Sequence, residues 1–137
     1  MSAMANPPVA AWRDRVARVL LVLGAVAALA GAASMIPDYT ALAGAEVERV
    51  WRSFGLVVFA GLFLLLAWRP RGLPGVWELV IFHKAALTVA GVVWLSGEVD
   101  GAGELVVSDG VLTAVLVGCY LLTEGWTAWR PSPPAEV

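Results

Sequence analysis

Four apolar stretches, each about as long as a bilayer is thick, constrain this chain more than anything else in it. Val19 to Ile36 runs eighteen residues without a charge. Trp51 to Trp68, Trp77 to Ser96 and Leu105 to Trp129 follow, interrupted by few polar side chains. A spanning helix needs roughly 17–25 apolar residues. With 60% hydrophobic and 15% charged residues, and mean hydropathy +0.80, a soluble fold of this length would expose more apolar surface than its core could hide. The sequence therefore predicts an all-α integral membrane bundle of four transmembrane helices, one domain over 1–137, with spans at about 16–36, 51–68, 76–96 and 105–129.

The connections fit that reading. Residues 1–11 are small and Pro-containing. Pro37-Asp38 is a stop signal for the first helix. Residues 39–50 (YTALAGAEVERV) read as a short amphipathic connector lying on the membrane interface. Arg69 to Gly75 makes a tight basic turn, and Gly97 to Glu104 an acidic, glycine-rich one. Arg130-Pro-Ser-Pro-Pro closes the chain as a stiff polar tail.

Tryptophan and arginine give depth and orientation. All seven Trp fall at or near segment ends, where an amphipathic indole prefers the headgroup level. Four spans put the amino terminus, the 69–76 turn and the carboxyl terminus on one side, with Arg13, Arg15, Arg18, Arg69, Arg71 and Arg130. The other side holds Arg49 and Arg52. The positive-inside bias then predicts a multi-pass protein of the bacterial inner (plasma) membrane with both termini cytoplasmic. A rival reading takes the basic start, the apolar run and Ala-Leu-Ala-Gly-Ala-Ala-Ser as a cleaved signal peptide. It would leave three spans, followed by more membrane helix rather than an exported domain.

Polar groups inside the spans are the candidate site. Asp109, Thr113, Tyr120, Glu124 and Thr127 fall at helical spacing, within about 60° of one another at ~100° per residue. Such a stripe must face protein or water. Lys84 and Thr88 share a face of the third span with Gly91 and Leu95. The expected network pairs Lys84 with Glu124 at the inner end and Arg52 with Asp109 at the outer end, with Glu78 nearer the headgroups. Paired charges in a bundle serve registry and satisfaction, or else line a ligand pocket or proton path. His83 is a packed ring or a ligand; Cys119 is a small apolar side chain. Gly24, Ala28 and Gly31 form a small-residue face suited to close helix contact.

Several activities fail on residue count. A bis-His haem needs two histidines and the chain has one. A four-helix disulfide oxidase needs a cysteine pair, and Cys119 is alone. Small multidrug exporters carry a membrane-embedded Glu in the first helix; Val19–Ile36 has no acidic residue. No Walker, GxSxG or HExxH motif occurs. No catalytic or metal-ligating set is predicted, the cofactor is unknown, and segregated charges give no nucleic-acid face. The lipid bilayer is the expected partner.

A first helix ending in Pro37-Asp38, an amphipathic connector, and a second helix opening Arg52-Ser53-Phe54-Gly55 and continuing through Gly61 resemble the small bacterial four-helix membrane proteins of the DoxX-like group, over roughly residues 16–96. That resemblance implies association with membrane redox complexes, sulfur oxidation or detoxification, with no motif carried over to particular residues. Three functions stay open. The first is a non-catalytic accessory or interaction subunit, docking on a membrane partner or as a homo-oligomer through small-residue faces. The second is a redox-associated protein binding a quinone or other lipophile between helices 3 and 4. The third is a small transporter using Glu124 and Lys84.

Overall fold

The computed structural model describes residues 8–36 and 47–130. Among these residues are four α-helices, α1 (Ala11–Ser34), α2 (Val47–Trp68), α3 (Val76–Leu95) and α4 (Ala102–Thr123), then a 3-10 turn, Gly125–Trp129. No strand occurs among the described residues. Each helix is long and apolar enough to cross a membrane, so the chain is a multi-pass membrane bundle.

The boundaries differ from the sequence expectation where local signals compete with hydropathy. α1 begins at Ala11, five residues before the expected start, because Trp12 to Arg18 extend the helix beyond the apolar run. The last four residues of the expected connector, 47–50, form the first turn of α2; 39–46 and Pro37-Asp38 lie outside the described residues. α4 starts at Ala102, after Gly101 at φ +80°, a left-handed conformation that favours glycine. It ends at Thr123, not at Trp129. Glu124 turns left-handed (φ +52°) and its amide reaches back toward the Leu121 and Tyr120 carbonyls, as at many helix C-termini. Gly125 then passes beneath two rings. A Cβ there would lie 2.6 Å from Tyr120 and 2.8 Å from Trp77, so the turn accepts no side chain without moving an aromatic.

α1 packs most extensively on α2, and α3 on α4; α1 also lies along α4, while α2 touches α3 much less. The α1–α2 contact is built on small residues. Gly24 faces Phe63, Gly31 faces Leu56, and the Ser53 hydroxyl donates to the Ala32 carbonyl (3.2 Å). Gly91 and Gly110 do the same between α3 and α4: a Cβ on Gly91 would meet Val106 Cγ2 at 2.8 Å, and one on Gly110 would meet Thr88 at 3.5 Å. The buried set is accordingly rich in alanine (Ala17, Ala25, Ala28, Ala32, Ala60, Ala67), with Leu21, Phe63, Leu66, Trp77, Val80 and Leu116 as the larger fillers. Leu23, Val26, Val58, Phe82, Val93 and Val107 face outward. A soluble bundle places its bulky side chains inside. Here close contact by small residues holds the helices and bulky ones meet the surroundings, as lipid-embedded helices require.

Six tryptophans are substantially exposed, as a headgroup belt requires. Trp77 is the exception: it is fully buried at the start of α3, and its indole N–H donates to the Pro70 carbonyl (2.8 Å). Its role is core and loop anchor, because the Arg69–Gly75 turn folds back to offer that carbonyl.

Candidate functional site

The polar groups sort into three levels, and the pairings differ from those the sequence suggests. At mid-bundle, Lys84 Nζ donates to Asp109 Oδ1 at 2.7 Å, with both side chains 8% exposed. Lys84 does not meet Glu124, and Asp109 does not meet Arg52. The α3–α4 register explains the change. Gly91 lies against Val106, Thr88 against Gly110, and Glu78 against Tyr120, so Lys84 is level with about Thr113. Asp109 is one turn away and within reach of a lysine stem. Glu124 is some ten residues further along in the other direction, roughly 15 Å of rise, and beyond the start of α3.

The neighbouring hydroxyls are spent locally. Thr88 donates to the Lys84 carbonyl (2.8 Å) and Thr113 to the Asp109 carbonyl (2.6 Å), the back-bonding that Thr makes inside helices. They brace the backbone at the two charged residues and do not extend the network. Among the described residues, Asp109 Oδ2 meets only the Ser108 hydroxyl, at a long 3.5 Å.

Phe59 of α2 completes the level. Its ring lies 4.6 Å from Lys84 Nζ on one contact and 4.6 Å, centroid to centroid, from the tilted His83 ring on another. An ammonium facing an aromatic ring is attracted by the ring's quadrupole, more strongly when desolvated. His83 thus packs against Phe59. Beside the ion pair is a cavity of about 160 Å³ lined by Gly24, Ala27 and Ala28 of α1, Leu56, Phe59 and Phe63 of α2, Lys84 and Leu112. All four helices contribute, and Lys84 is its one charged lining residue. This cavity lies on the α1–α2 side of Lys84, not between the third and fourth helices. At Gly91 and Gly110 the α3–α4 seam is closed by Val106 and Thr88.

At the end holding the α1 start and the α4 finish, Glu124 Oε1 meets Arg13 (3.4 Å), and Arg13 also donates to the Leu121 carbonyl (2.8 Å). Arg71 makes two bonds to Asp14 (2.6 and 2.8 Å) and a third to the Thr123 carbonyl (2.9 Å). The two guanidiniums therefore cap the last carbonyls of α4, where positive charge is favoured. The Asp14 carboxylate raises the Arg71 pKa above its usual value. Tyr120 donates to Glu78 Oε1 (2.9 Å), which also accepts from the Trp129 indole (3.1 Å). Thr127 leaves the stripe with the 3-10 turn and donates to the Glu124 carbonyl. Cys119 is buried, its sulfur 3.8 Å from the Ala17 carbonyl.

At the opposite end Arg52 lies 3.9 Å from Glu104, both largely exposed.

Of the sequence-predicted residues, the structure pairs Lys84 with Asp109 and brings Lys84 and His83 to Phe59, with Thr88 and Thr113 as backbone braces. Glu124, Tyr120 and Arg52 belong to other levels. Phe59 and Leu112 were not singled out by sequence; nothing separates one Phe or Leu from the others in an apolar helix until the register is known. Comparisons with family models, with characterised proteins and with solved structures returned no match.

Proposed function

We propose that this is a small bacterial inner-membrane protein, with both termini cytoplasmic, that binds a lipophilic molecule without catalysing a reaction on it. One observation carries the reading: Lys84, its buried ammonium held by Asp109 and facing Phe59, lines a cavity of about 160 Å³ whose other lining residues are apolar. Cavities of this size accept a single six-membered ring. An ammonium has three donors, and Asp109 is the one acceptor that Lys84 meets among the described residues. A remaining N–H is suited to a carbonyl or phenol oxygen on an otherwise apolar ligand. The resemblance to DoxX-like proteins makes a quinone headgroup the first molecule to test. The cytoplasmic orientation is supported by the six arginines at the end that gathers both termini.

The docking reading is less favoured. Gly24, Ala28 and Gly31, the face offered for a partner, are used within the bundle against α2. The transporter reading loses its motive, since Glu124 and Lys84 are on separate levels with separate partners.

The test is native mass spectrometry of gently extracted protein together with the Lys84→Met/Asp109→Leu double variant, which removes both charges and keeps apolar volume. A lipophile bound to the wild type and missing from the folded double variant supports the proposal. Wild type that carries none, even after incubation with a short-chain quinone, refutes it.

A further inference from the structure

A second cavity, far from Lys84, has a different chemistry. We propose that it holds the headgroup of a phospholipid bearing both a phosphate and a primary ammonium. It measures about 540 Å³ and lies where the start of α2 meets the end of α3 and the start of α4. Ligand pockets typically span about 300–1,000 Å³. Its charged lining residues are Glu48, Arg52, Asp100 and Glu104, and its aromatic ones Trp51 and Trp94. Leu87 and Leu105 line its apolar part.

Three carboxylates and one guanidinium leave the lining with a formal charge of −2. A phospholipid with only a phosphate is repelled there. One with an ammonium as well has complementary partners for both groups. Arg52 supplies the planar donor set that suits phosphate, while the carboxylates and an indole face suit a primary ammonium. Among the described residues, Arg52 and Glu104 meet each other only loosely: they sit 3.9 Å apart, with side chains 57% and 78% exposed, a geometry worth little in solvent. The helix ends set the depth, because tryptophans there mark the headgroup level. The acyl chains have a route as well. α2 and α3 form the thinnest contact between neighbouring helices, and Leu87 carries the cavity's apolar wall from the headgroup level toward that junction.

The experiment is native mass spectrometry of the delipidated full-length protein in detergent, titrated with phosphatidylethanolamine, phosphatidylglycerol, phosphatidylcholine and dodecylamine. Phosphatidylethanolamine should be retained at a concentration at least about fivefold lower than the other three, a difference of about 1 kcal/mol. Arg52→Gln and Glu104→Gln should each remove that preference while leaving the thermal transition unchanged, since both side chains are exposed. Equal retention of the three phospholipids means annular lipid only and overturns the proposal. Dodecylamine binding as tightly as phosphatidylethanolamine overturns the phosphate assignment to Arg52. A preference that survives in both variants overturns the site.

Discussion

Breaking the Lys84–Asp109 pair from one side should cost far more than removing it whole. Both side chains are 8% exposed and joined at 2.7 Å. Asp109→Leu leaves an ammonium facing Phe59 and an apolar cavity with no counter-ion. Lys84→Met leaves a carboxylate whose other contact is a 3.5 Å hydroxyl. Removing one member of a buried pair typically costs about 3–5 kcal/mol, whereas replacing both by apolar groups of similar volume is often neutral. The cavity beside Lys84 gives the orphaned ammonium room to recruit water, so Asp109→Leu should fall at the low end, about 3 kcal/mol. Lys84→Met should fall in the same range of about 3–5 kcal/mol, because it leaves the Asp109 carboxylate without its cation. The double variant should lie within about 1 kcal/mol of wild type, giving a coupling energy of several kcal/mol in the double-mutant cycle. The assay is reversible unfolding of the purified protein in mixed micelles, followed by helical circular dichroism. Additive single-variant costs, or single variants within about 1 kcal/mol of wild type, would refute the reasoning that these two charges are each other's main partner.

Three further outcomes follow from the same contacts. Gly91→Ala should destabilise the bundle by about 1–2 kcal/mol, since its Cβ would press on the stiff Val106 side chain at 2.8 Å; adding Val106→Ala should recover most of the loss in the same unfolding assay, and no recovery would contradict the packing account. Arg71→Ala should cost about 1 kcal/mol in low salt and less in high salt, because its Asp14 contact is part-exposed while its bond to the Thr123 carbonyl caps α4; a salt-independent effect would argue against the charge component. Carboxyl-terminal fusions should give a fluorescent cytoplasmic reporter and an inactive periplasmic phosphatase, the reverse result excluding the proposed orientation.

The four helices were legible because a run of about twenty apolar residues has few alternatives to spanning. Their ends were less so. Glu124-Gly125 is the kind of pair that stops a helix, yet the apolar residues and tryptophans around it extended the predicted span to Trp129. That error made Glu124 part of the helix and supplied Lys84 with the wrong partner. The remaining pairing error has another origin. Side-chain periodicity reveals which residues share a face, not the height at which two antiparallel helices meet. Gly91 and Gly110 set that height through Val106 and Thr88, and a glycine in a membrane helix does not announce its partner. Trp77 was misassigned for a related reason: its sequence position matches a belt residue, but the Pro70 carbonyl satisfies its N–H in the core.

The proposed lipophile site is lined by Lys84 and shared by all four helices. The most direct measurement is photolabelling in native membranes with a short-chain quinone carrying a diazirine, followed by peptide mapping. Ala27→Phe serves as the comparison, placing a ring at the α1 wall of the cavity. Labelled peptides should contain Phe59 and Leu112, with both signals lost in Ala27→Phe. Labels confined to outward residues such as Val58 and Val93, and unchanged by that substitution, would contradict it.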